Sequence, residues 1–95
     1  MNIFDNKDTD LLIKAICKTT DSSECKSLLE DLMTIKEIQD MAQRLTVAKM
    51  LREKKSYGEI SETTGASTAT ISRVNRCLTY GNGGYNNILN KINED

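Results

Sequence analysis

None of the 95 residues is proline, and three of the five glycines fall within positions 81–84. A chain so poor in breakers runs as long helices with brief connections. The apolar spacing agrees with helices. Leu11, Leu12, Ala15 and Ile16 share one face of an N-terminal helix that starts with acidic residues, which suits the helix dipole. Asp21-Ser22-Ser23 interrupts that pattern and can cap a second helix carrying Leu28, Leu29, Leu32 and Met33. Thr34-Ile35-Lys36-Glu37 has the form of a capping box and predicts a third helix to about Lys54.

The third helix is apolar on more than one side. Ile35, Ile38, Met41/Ala42, Leu45 and Ala48 form one stripe, and Val47, Met50 and Leu51 extend onto another. Such a helix packs against several neighbours, and in so short a chain some of them belong to a second subunit. A bundle within one chain is the alternative. Ser56-Tyr57-Gly58-Glu59 is another capping box and opens a helix over roughly 57–64. Gly65 stands where a helix end needs a left-handed residue, and Ser67 or Thr68 caps the next helix. Gly81-Asn82-Gly83-Gly84 ends that helix, and Tyr85, Ile88, Leu89 and Ile92 predict a short last one. The expectation is an all-α single domain over 1–95 with about six helices. No internal repeat or low-complexity linker divides it.

Residues 65–77, GASTATISRVNRC, pose a question. Ile71, Val74 and Leu78 have helical spacing, yet Ser, Thr, Ile and Val are mediocre helix formers. A helix-turn-helix at about 56–79 answers it. Gly65 supplies the turn, Ile60, Ala66, Ile71 and Val74 press the two helices together, and Ser61 is small where they cross. The second helix is then held by its partner. Its outer face, Ser67, Thr68, Ala69, Thr70, Ser72 and Arg73, is short-chained enough for the backbone to enter a major groove. Hydroxyls there meet phosphates or base edges, methyl groups meet thymine methyls, and Arg73 reaches guanine or a phosphate.

Charge supports an anionic partner. The net charge is −1, but residues 43–76 carry +4 while residues 1–42 carry −4. Arg44, Lys49, Arg52, Lys54 and Lys55 precede the motif and Arg76 lies at its end, where phosphate contacts position a reader without specifying sequence. A solvated helix face is the bland alternative.

Enzyme chemistry finds no footing. The chain has no histidine, no P-loop and no dinucleotide fingerprint. Glu24, Glu30 and Asp31 suit a solvated face better than a carboxylate pair. Three cysteines, Cys17, Cys25 and Cys77, cannot complete a zinc site in one chain, and they are expected as small buried hydrophobes. No metal and no cofactor is expected. No stretch is apolar enough to span a membrane and no signal peptide is evident, so the expected compartment is the cytoplasm, where thiols stay reduced.

LMTIKEIQDMAQRLTVAKML and SYGEISETTGASTATISRVNRCLTYGNGGY together resemble the tryptophan-repressor superfamily, in particular its YerC/YecD-like branch. The resemblance covers about residues 28–92. It implies six helices with the helix-turn-helix at positions four and five, and an intertwined homodimer wrapped by the N-terminal helices. It implies two recognition helices about one DNA turn apart, and hence a near-palindromic operator. The founding repressor needs L-tryptophan. By motif, Thr34, Arg44 and Arg73 keep that pocket's residue types, while Val74 stands for a glycine and Cys77 for a serine. Valine methyls occupy the indole's space and Arg76 adds charge nearby, so tryptophan is not expected as the effector. The function expected is a sequence-specific, dimeric DNA-binding transcriptional regulator. The alternatives are a regulator gated by another small ligand and a helical protein-interaction module.

Overall fold

The computed structural model describes residues 2–93. Six helices and no strand occur among them: α1 Lys7–Cys17, α2 Ser22–Leu32, α3 Ile35–Arg52, α4 Tyr57–Thr64, α5 Thr68–Tyr80 and α6 Gly84–Asn93. α2, α3, α4 and α5 begin at the residues that the sequence marks for them, whereas α1 is capped by Asn6, which the spacing does not single out, and α6 starts at Gly84, within the expected loop. The Asp21 side chain accepts the Glu24 N–H at 2.8 Å and caps α2. Thr34 and Glu37 complete a reciprocal box before α3, the Thr34 N–H donating to Glu37 Oε1 at 2.9 Å and the Glu37 N–H to Thr34 Oγ1 at 3.1 Å. These Thr34 bonds hold the Glu37 carboxyl below its ordinary range. The cap's contribution is therefore present above the ordinary carboxylate range and fades as pH falls through the lowered value.

The chain falls into two compact units, one up to Ile38 and one from Gln39 onward. In the first, α1 and α2 bury no residue at all. Leu11 is 68% exposed and Ile3, Phe4, Ile13, Ile16 and Leu32 are exposed as well, while Ala15, Leu28 and Leu29 are half-buried. The cysteines follow suit. Cys17 is exposed, Cys25 is half-buried and Cys77 is exposed, which corrects the expectation of buried thiols. α1 buries nothing, and Cys77 lies on the outer side of α5.

The second unit holds the core: Val47, Ala48, Ile60, Ala66, Ile71, Val74 and Leu89, with Met50, Leu51, Tyr57, Leu78 and Tyr85 packed around it. Ile60, Ile71, Val47 and Val74 are the largest fully buried side chains, each worth about 1.5–3 kcal/mol of burial. The two stripes of α3 separate here. Val47 and Ala48 face the core, whereas Met41 and Leu45 stay exposed. Arg52 fastens α6 to α3, its guanidinium donating to the Asn86 carbonyl at 3.2 Å and to the Asn90 side chain.

α4 and α5 meet through a three-residue turn. Gly65 ends α4 with a φ of 76°, and its N–H donates to the Ser61 carbonyl at 2.8 Å. A Cβ at Gly65 would meet nothing within 4 Å, so a side chain there meets backbone strain alone. Gly65→Ala is expected to lower stability by about 1 kcal/mol, measured by urea denaturation. A loss near zero would contradict the left-handed turn. Gly81 closes α5 for a different reason: a Cβ there would stand 2.4 Å from the Cys77 carbonyl oxygen, which accepts the Gly81 N–H.

Candidate nucleic-acid interface

The turn between α4 and α5 is tied from four sides. Thr64 Oγ1 donates to the Ile60 carbonyl at 2.7 Å and accepts the Ala66 N–H at 3.1 Å. Ser61 Oγ donates to the Ala66 carbonyl at 2.9 Å, which is the role its small side chain fills at the crossing. From α3, the Gln43 amide donates to the Thr64 carbonyl at 3.0 Å. Backbone groups that a tight turn would otherwise strand are thereby satisfied. The bend between the helices is held by hydrogen bonds as well as by Ile60, Ala66, Ile71 and Val74, all buried.

The outer face of α5 divides by role. Ser67 is the cap: its Oγ accepts the Thr70 N–H at 3.1 Å and donates to Thr70 Oγ1 at 3.1 Å. Thr70 is half-buried, and both hydroxyls are engaged with each other. Thr68, Ala69, Ser72, Arg73 and Arg76 are exposed and stand on successive turns. An open groove of about 460 Å³ runs along them, lined by Ala69, Ser72, Arg73, Arg76, Cys77 and Tyr80. Tyr80 is 84% exposed at its far end, a large aromatic that the spacing of α5 does not single out.

The flanking cations also divide. Lys54 and Lys55 are exposed in the turn that leads from α3 into α4. Arg52, grouped with them in the sequence, is occupied in holding α6. The Ser56 hydroxyl accepts the Glu59 N–H at 3.1 Å and opens α4 directly after the two lysines.

Of the effector-pocket candidates, Arg73 and Cys77 line the same groove, which Arg76 shares. Val74 lies in the core at 1% exposure, its methyls filling space between the helices. Arg44 is half-buried on α3, and Thr34 is exposed with its hydroxyl engaged in the α3 cap. A second hollow of about 430 Å³ lies beside the first and is apolar in character, with Leu45, Tyr85 and Ile88 among its walls. No group of residues suited to hold a metal ion occurs among the described residues. No helix among them is long and apolar enough to cross a membrane.

This geometry matches known proteins. The family model for Trp repressor protein matches residues 7–93. The chain belongs to that family. It is 52% identical over 88 residues to the uncharacterized protein YerC of Bacillus subtilis (strain 168), covering 93% of this chain and 85% of that one. It is 31% identical over 65 residues to a Trp operon repressor homolog of Xylella fastidiosa (strain M23), covering 67% of this chain and 71% of the relative. The crystal structure of a TrpR-like protein from Eubacterium eligens ATCC 27750 superimposes with a TM-score of 0.93 at 46% identity, covering 98% of this chain and 96% of that one. The resemblance to the tryptophan-repressor superfamily and its YerC-like branch is thus met by sequence and by fold. The family is one of DNA-binding transcription regulators.

Proposed function

We propose that the protein is a sequence-specific transcription regulator that binds DNA as a homodimer at a near-palindromic site, without tryptophan. The observation that carries this reading is the division of α5. Ile71 and Val74 are sunk in the core, while Thr68, Ala69, Ser72, Arg73 and Arg76 stand free on the other side. Short side chains let a helix backbone lie deep in a major groove, and a guanidinium reads guanine or holds a phosphate. Lys54 and Lys55 serve phosphates beside it. Ser67 and Thr70 contribute mainly by capping α5, since their hydroxyls already bond to each other. Work on DNA by such a chain belongs in the cytoplasm.

The dimer is supported by what one chain leaves uncovered. α1 and α2 have no fully buried residue, Leu11, Ile16 and Leu32 are exposed on them, and the hollow at Leu45 and Ile88 is open. A second copy would cover these faces, and residues 1–95 would then act as one domain.

Two substitutions test the reading. Arg73→Ala should weaken DNA binding by about 1–3 kcal/mol and relax preference at one base position if the arginine reads a guanine. Lys55→Ala should weaken all sequences alike and make the salt slope shallower by about one unit. Unchanged affinity in both variants would place the docking face elsewhere.

The buried Val74 supports independence from tryptophan. Forcing a planar ligand against a filled site opposes binding by about 1–3 kcal/mol, as in an overpacked core. Isothermal titration with tryptophan should give no heat of binding, and a micromolar site would refute the point. One observation favours a second reading. The groove beside Arg73 and Arg76 has room for an effector of other chemistry, which would cover Ala69 and Ser72 and so oppose DNA.

A further inference from the structure

The turn between α3 and α4 holds the one non-glycine residue of positive φ among the described residues: Lys54, at 66°. The hydrogen bonds around it account for the shape. The Lys54 N–H donates to the Leu51 carbonyl at 3.0 Å, and the Lys55 N–H to the Met50 carbonyl at 3.1 Å. Bonds reaching back three and five residues close a helix through a left-handed residue just past its cap. Glycine is favoured at that position because a Cβ is strained there. The chain itself uses glycine for the equivalent task at Gly65, where φ is 76°.

Local structure gives no reason for lysine instead. Lys54 is exposed, and among the described residues its ammonium has no salt-bridge partner. The helix dipole favours cations near a C-terminus, but Lys49 and Arg52 already stand in the last turn of α3. Location supplies the reason. Lys54 lies two residues before Ser56, which caps the first helix of the helix-turn-helix. In such motifs the first helix crosses the DNA backbone while the second enters the groove. A cation at the mouth of α4 would then stand beside the phosphates of a bound duplex.

We infer that Lys54 is a phosphate anchor for DNA that occupies a strained left-handed position in place of glycine, so that this turn exchanges stability for affinity. Strain retained at a binding site has this form. The inference rests on the DNA-binding reading above.

The test uses the full chain, thermal melting, and a salt series of binding to a fluorescein-labelled mixed-sequence DNA duplex. Lys54→Gly should raise the melting temperature by a few degrees. The same variant should bind the duplex more weakly, with a salt slope shallower by about one unit. Lys54→Arg should keep the wild-type melting temperature and slope. A Lys54→Gly variant with unchanged affinity and slope overturns the inference, as does one that melts lower than wild type. If Arg73→Ala weakens binding and Lys54→Gly does not, this inference alone fails. If the wild type binds no duplex even at low salt, the DNA-binding reading fails with it.

Discussion

Ile71→Ala is expected to destabilise the protein by about 2–5 kcal/mol and to remove most of its DNA binding at ordinary temperatures. Ile71 is fully buried, in a core of seven buried residues among those described. Its neighbours along α5 are Thr68, Ala69, Thr70 and Ser72, and three of these four favour caps and extended structure over helix. The helix persists because Ile71 and Val74 anchor it against α4 and α3. Removing one anchor opens a cavity and releases a segment with little helical preference of its own. Typical net stability is about 5–15 kcal/mol, so the loss is a large share of the whole. Urea denaturation followed by circular dichroism measures it. A change below about 1 kcal/mol would mean that α5 stands without its anchor.

Ile88→Glu should convert the proposed dimer to monomer. Ile88 is 46% exposed and Leu45 is 42% exposed, and both wall the same apolar hollow. A carboxylate placed against a partner's apolar surface must be desolvated without a partner charge. The dimer dissociation constant should rise at least a hundredfold, about 3 kcal/mol. Sedimentation equilibrium on both proteins reads the change directly. A variant that stays dimeric at the wild-type concentration would move the interface away from this hollow. The variant should otherwise fold, because Ile88 is not part of the core cluster.

Much of the fold is legible in residue spacing, for reasons that are physical. Ile60, Ala66, Ile71 and Val74 repeat at helical intervals around a glycine, and these four are buried. Asp21, Ser56 and the Thr34–Glu37 pair mark helix starts because short polar side chains satisfy orphan N–H groups. Other features leave no periodic trace. Gln43 bonds a carbonyl 21 residues away, and a lone polar residue on a helix does not announce such a reach. Arg52 counts as one more cation in a basic stretch until α6 is seen beside it. Lys54 in a left-handed turn is invisible to a search that looks for glycine there. The apolar face of α1 is plain in the sequence, but a stripe names a face and not its occupant. For the same reason, burial of Cys17 could not be inferred from its position in an amphipathic helix.

The most direct measurement is selection of bound duplexes from a random DNA pool by the purified protein, at near-physiological salt and without tryptophan. The expected product is an enriched two-fold symmetric site whose half-sites lie about one helical turn apart, 34–36 Å. A pool that shows no enrichment without tryptophan and acquires it only when tryptophan is added would contradict the proposed regulator. Retention of no DNA even at low salt would contradict it more completely, and would turn the exposed face of α5 toward a protein partner.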